Sequence, residues 1–286
     1  MLAMKTTINL FDSNFPNAPS SVMGKTPRHI KYVRRLMEFD GVTIFTDEHI
    51  NADHIENVKS KYKIGWLHEP YCLHPQTYRK AFYNVDKFDA IMTYYVPFTW
   101  VDKAVLCPYA GIWIPKENWN DTEKTKMVSM LYGGKRGTEG HKMRHNVAES
   151  LHRNRANVDF YGYTGVPVDY SWQTKHKTLA SYRFSVITET CREDNLFTEW
   201  LLDCFAMKTV PIFYGCPNLK DWFDERGVLS FYTVEEAVSF VREASESLYD
   251  DMAEHIQANF DLCAKFEITE DWFYKNVLLP GGYVNA

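Results

Sequence analysis

At 286 residues, 45% of them hydrophobic, the chain can bury one large core or two ordinary ones. A net charge of −5 provides no basic field for nucleic acid or an anionic membrane surface, and no stretch approaches the roughly 20 apolar residues of a membrane span. The six cysteines follow no metal-ligand spacing, and several lie in apolar runs where a thiol behaves as a small hydrophobe, which fits a soluble protein in a reducing, cytoplasmic setting.

Alternating short strands and helices open the chain. Residues 8–11, 42–47, 64–68, 90–95 and 104–107 are strand-like, and residues 27–39 and 75–85 are helix-like. Residues 113–126 mix acidic residues and lysines without apolar periodicity, and they read as a linker. This gives an N-terminal domain over 1–120 and a C-terminal domain over 121–286, whose aromatic tail is placed to pack back on the first.

The alternation then restarts. Residues 127–132 form a strand, 141–153 a helix and 158–163 another strand. The most informative stretch, 182–215, follows. A buried strand ends in Glu189, a polar loop leads to Thr198-Glu199 at a helix start, and TVPIFYG forms the next strand. Thr198 suits an N-cap, and Glu199 suits the positive end of the helix dipole. Such a unit puts ligands at the carboxyl ends of its strands. Thr233 and Glu236 make a capping box, and Leu248, Met252, Ile256 and Phe260 mark one more amphipathic helix.

This block resembles the donor-binding signature of the α1,3/4-fucosyltransferase family: a strand ending in Glu, a Thr-Glu pair ten residues on, then a Val-Pro strand ending in Gly. Three further segments resemble that family in its own order: WLHEPY at 66–71; FDAIMTYY followed by CPYAG, within 88–111; and the strand, basic loop and Arg-led helix of 126–151. The resemblance spans roughly residues 60 to 220 and departs from the family at Thr190, Leu196 and Trp200, where Asn, Tyr and Lys are usual.

The resemblance implies an α/β fold of two Rossmann-like domains facing a cleft (GT-B type) and an inverting glycosyltransferase that moves fucose from GDP-fucose to a glycan hydroxyl. Glu69 is then the general base, with His68, Tyr94 and Tyr109 near the acceptor. Arg144 aligns with the family's phosphate-binding Arg; Lys135, Arg136 and Lys142 belong to the same basic loop, and the following helix offers free N–H groups. Glu189, Glu199, Thr190 and Trp200 complete the donor set. Each has a plainer reading, as loop carboxylate, helix-dipole partner or packing residue. No Asp-x-Asp pair occurs, and His141 and His145 read as solvated, so neither a metal nor another cofactor is expected. Two alternatives stay open: the same fold with another nucleotide sugar, and a binding protein that has lost transfer. Oligomeric state is not legible.

Overall fold

The computed structural model describes residues 4–51 and 53–285. It divides into two compact units, Met1–Tyr109 with Ile268–Ala286, and Ala110–Glu267. The division falls before the expected linker, whose residues belong to the second unit. There Lys124 donates to the Leu179 and Ala180 carbonyls and to the Thr209 hydroxyl at 2.8–3.2 Å.

The first unit carries β1 (Thr6–Phe11), β2 (Ile30–Arg34), β3 (Glu38–Thr46), β4 (Lys59–Leu67), α1 (Pro75–Asn84), β5 (Ala90–Thr93) and β6 (Ala104–Leu106). The six strands are all parallel, in the order β2-β1-β3-β4-β5-β6. Its core packs Ile8, Leu10, Ile44, Ile64, Trp66 and Met92 against Phe273, Val277 and Leu278 from the chain's tail. The carboxylates of Glu270 and Asp271 fix that tail. Glu270 accepts from the Ser20 hydroxyl (2.8 Å) and the Ser21 N–H (2.6 Å), and Asp271 accepts from Arg28 Nε (2.7 Å).

The helix expected over 27–39 is instead β2 and the start of β3. Ile30, Tyr32 and Val33 suit a strand, and β1 supplies the hydrogen-bonding partner. Arg35 at φ 56° then ends it, and Leu36 and Met37, which an amphipathic helix would have buried, are more than 40% exposed.

The second unit runs β7 (Lys126–Tyr132), α2 (Glu139–Arg153), β8 (Asp159–Gly162), α3 (Trp172–Leu179), β9 (Tyr182–Thr188), α4 (Glu199–Ala206), β10 (Val210–Tyr214), β11 (Leu229–Ser230), α5 (Val234–Glu243), α6 (Glu246–Asp251) and α7 (Ala253–Cys263). Its sheet is parallel throughout, in the order β11-β10-β9-β7-β8. The capping box at Thr233 and Glu236 is present. The last expected helix is two helices, broken at Met252, although Met252 and Ile256 still face one core. Cys107, Cys204, Cys216 and Cys263 are buried thiols whose pKa burial raises, as their apolar settings suggested.

Both sheets thus have the doubly wound order 2-1-3-4-5, extended by one strand in the first unit. The strand order reverses between β1 and β3 in one and between β7 and β9 in the other. In open parallel sheets, ligands bind outside the carboxyl ends of the strands at that reversal.

Phe273→Ala is expected to cost about 3–5 kcal/mol and to speed amide exchange in β1 and β4 while β7 and β9 stay protected. Hydrogen exchange read by mass spectrometry checks this. Equal loss in both sheets would show that the tail's packing matters beyond its own unit.

Candidate functional site

At the reversal point of the second unit, Glu189 follows β9 directly and is 1% exposed. Its carboxylate accepts from the Thr198 N–H (2.9 Å) and from the Thr198 hydroxyl (2.9 and 3.1 Å to its two oxygens). Thr198 in turn caps α4, because its hydroxyl accepts from the Trp200 N–H at 3.2 Å. Burial, then the charge of Glu199, pushes the Glu189 carboxyl up to about 8. The bond from Glu189 to the segment that follows it is thus present, and through it Glu189 sets the start of α4.

Two glycines allow this crowding. A Cβ on Gly140 would lie 1.9 Å from the Glu189 carbonyl oxygen, and one on Gly215 would lie 2.7 Å from Glu189 Cγ. The start of α2 therefore sits against the end of β9, and Gly140 N–H donates to the Thr190 carbonyl at 3.1 Å. Thr138 N–H donates to His141 Nδ1, and His141 N–H donates to the Thr138 hydroxyl. Three of the four N–H groups that a helix start leaves unpaired are thus taken, which corrects the expectation of free donors there.

The cation at this place is Arg144, 9% exposed. One Nη donates to the Lys135 carbonyl at 3.2 Å, while Nε is buried without a hydrogen-bond partner. Arg144 lines a tight crevice, without room for a water molecule, with Tyr132, Val186, Thr188 and Trp200. Lys135, Arg136 and Lys142 are exposed, and Thr190 is half-buried. His141 and His145 are not solvated, as the sequence suggested, but 5% exposed each. Burial and the neighbouring cations hold both imidazoles below the usual histidine range, His141 at about 4.

Glu199 opens α4 and is 7% exposed. Its Oε1 lies 3.7 Å from the ammonium of Lys175, which also lies 3.8 Å from Asp203 Oδ2 and 3.4 Å from the centre of the Trp200 ring. Asp203 accepts from the Trp113 and Ile114 N–H groups at 3.0 and 3.2 Å, and burial pushes its carboxyl up to about 7. Sequence reasoning missed Lys175, Asp203 and Trp113. Nothing in TKHKT sets Lys175 apart from Lys177 two residues on.

In the first unit, Glu69 lies two residues beyond β4, with its side chain 27% exposed. The buried Asp47, just past β3, accepts from the His68 and Glu69 N–H groups at 2.9 and 3.0 Å and from Asn14 Nδ2 at 2.6 Å. Asp47 has φ 40°, a left-handed conformation that these three bonds hold in place. Burial is the main force that pushes its carboxyl up to about 7. Tyr78 donates to the Glu69 carbonyl at 2.8 Å. His68 Nδ1 stands 3.8 Å from Glu69 Oε1, and the ring packs 4.8 Å from Tyr109; burial lowers its pKa, favouring neutral imidazole. Tyr94, expected near the acceptor, is instead buried. It is 1% exposed, and the hydroxyl accepts from the Tyr71 N–H at 2.8 Å. Asp47 was within reach of sequence reasoning, since it ends an apolar strand just as Glu189 does.

Two doubly wound parallel sheets are the components of a fold of GT-B type. A solved α1,3-fucosyltransferase with GDP-fucose has the same fold at TM-score 0.56 and 14% identity, over 87% of this chain and 81% of the other. A solved α1,3-fucosyltransferase with GDP gives TM-score 0.54 and 13% identity, over 93% and 92%. The UDP-forming trehalose-phosphate synthase of Burkholderia xenovorans, with glucose-6-phosphate, gives 0.58 and 12%, over 82% and 73%. At these identities the likeness is one of fold. No curated protein matches in sequence. Residues 121–257 match glycosyltransferase family 10 (fucosyltransferase), C-terminal domain. The match covers that segment, a little under half of the chain, and with the fold it marks the protein as a glycosyltransferase. Among the described residues no helix is long and apolar enough to cross a membrane.

Thr198→Ala removes the α4 cap and leaves the Glu189 carboxylate buried without its donor hydroxyl. The expected loss is roughly 2–4 kcal/mol in urea unfolding. Because Glu189 holds its proton more tightly folded than unfolded, its contribution is full below about pH 4.5 and falls as pH rises towards 8. The melting temperature of Glu189→Gln should therefore fall less than that of wild type between pH 5 and 9. Parallel curves would show that Glu189 does not titrate in that window.

Proposed function

We propose that the protein is an inverting fucosyltransferase-like enzyme that takes fucose from GDP-fucose and attaches it to a hydroxyl of a glycan acceptor. The observation that carries the reading is Arg144. A buried guanidinium whose Nε has no partner, lining a crevice at the strand reversal, is an incomplete ion pair. Its fork suits the oxygens of a diphosphate. The donor named for the first fucosyltransferase above, GDP-fucose, supports the choice of sugar nucleotide.

In this reading Arg144 stabilises the charge that grows on the departing diphosphate. Lys135, Arg136 and Lys142 add a solvated positive rim, and Glu199 takes hydroxyl groups of ribose or sugar. Trp200 and Thr190 flank the nucleotide. Glu69 removes the acceptor proton in an in-line attack on the anomeric carbon. Asp47 holds the Glu69 backbone, and His68 and Tyr109 shape the acceptor side. No metal ion takes part; Arg144 and the basic rim serve in its place.

Glu69→Gln is expected to lower kcat at least a thousandfold while GDP binding by calorimetry stays within about twofold. Transfer at the wild-type rate would remove Glu69 from the role of base. GDP at about 100 times its Kd should raise the melting temperature by a few degrees, and UDP, CMP and dTDP should not. A shift with another nucleotide alone would reassign the donor. Binding with no transfer in any acceptor mixture would leave a binding protein.

A further inference from the structure

Lys175 is the least explained charge of the second unit. It is 3% exposed on α3, and its ammonium has no hydrogen-bond partner. Both neighbouring carboxylates, Glu199 at 3.7 Å and Asp203 at 3.8 Å, are beyond hydrogen-bond reach, and Asp203 Oδ2 is itself unpartnered. Trp200 covers the ammonium at 3.4 Å, and Trp113 lies at 5.3 Å. An ammonium carries three donors, and a buried one normally satisfies them. The half-buried Lys124 of this unit does so with two carbonyls and a hydroxyl. Lys175 thus interacts by charge and ring contact alone.

Its surroundings connect it to the crevice. The Trp200 ring that carries the ammonium also lines the crevice with Arg144. Glu199 and Asp203 stand one turn apart on α4, on either side of Trp200 in sequence, and Lys175 is the cation beside both. Without a nearby cation they would oppose an anionic ligand, since buried charges are poorly screened. The cation on the indole also offsets the negative ring face that would otherwise disfavour a phosphate.

We propose that Lys175 is the charge-balancing residue of the diphosphate site. Held against Trp200 between Glu199 and Asp203, it cancels carboxylate charge that would otherwise keep a nucleoside diphosphate from Arg144. It acts through Glu199 and Trp200 and is a positioning residue. The inference rests on the donor reading given above.

The test is GDP binding by calorimetry at pH 7 to wild type, Lys175→Met, Lys175→Arg and Lys124→Met, with each melting temperature measured alongside. Lys175→Met should weaken GDP at least tenfold, and Lys175→Arg, which keeps the charge, should stay within about threefold. Lys124→Met should lose stability and leave the GDP Kd unchanged. In turnover, Lys175→Met should raise the donor KM and leave the acceptor KM alone. Binding by Lys175→Met within twofold of wild type overturns the proposal, as does equal weakening in Lys124→Met, which would reveal a general loss of structure. Failure of wild type to bind any nucleoside diphosphate would instead overturn the donor reading, and this inference with it.

Discussion

The second unit depends on one carboxylate. Glu189 is buried at the end of β9, and the N–H and hydroxyl of Thr198 are its partners. A buried carboxylate is costly unless donors meet it, so the nine-residue excursion from Glu189 to Thr198 has a fixed end. That fixes where α4 starts, and with it the positions of Glu199, Trp200 and Asp203. The start of α2 is bound to the same point through Gly140 and the Thr190 carbonyl. Two helix starts and two strand ends therefore meet around Glu189, α4 through its side chain and α2 through the neighbouring backbone, and Arg144 is delivered to the crevice by α2.

The first unit uses the same device at a different strand. Asp47 ends β3 and accepts two consecutive backbone N–H groups from the segment after β4. In both units the gripping carboxylate is buried and a second acid lies further along the chain: the half-buried Glu69 beyond Asp47, and the buried Glu199 beyond Glu189. Each gripping group has its pKa raised, mainly by burial.

Signals confined to one element were legible in the sequence. The cap at Thr198, the capping box at Thr233 and the apolar run into Glu189 each depend on neighbours a few residues away, and the structure has all three. What failed depended on distant partners. Residues 27–39 have helical spacing, but pairing with β1 overrode it. Tyr94 was lost to a Tyr71 N–H that only the fold brings near. Lys175 lies on a short helix whose buried face, Thr174, Lys175, Thr178 and Leu179, is mostly polar, so periodicity marks nothing there. The positions where this chain departs from the fucosyltransferase pattern were visible. That Trp200 would rest on a lysine from another helix was not, because the two are 25 residues apart in sequence.

The tail has a consequence for how the protein is made. Phe273, Val277 and Leu278 complete the core of the first unit, and Glu270 and Asp271 fasten the loops that precede β2. A ribosome delivers those residues only after the second unit. The first unit must therefore wait, its six strands made but part of its core still missing, while the whole of the second unit emerges. Domains usually mature from the amino end forward during synthesis. Here the first unit cannot complete its core until the second has been made, because the residues that complete it follow that unit in the chain.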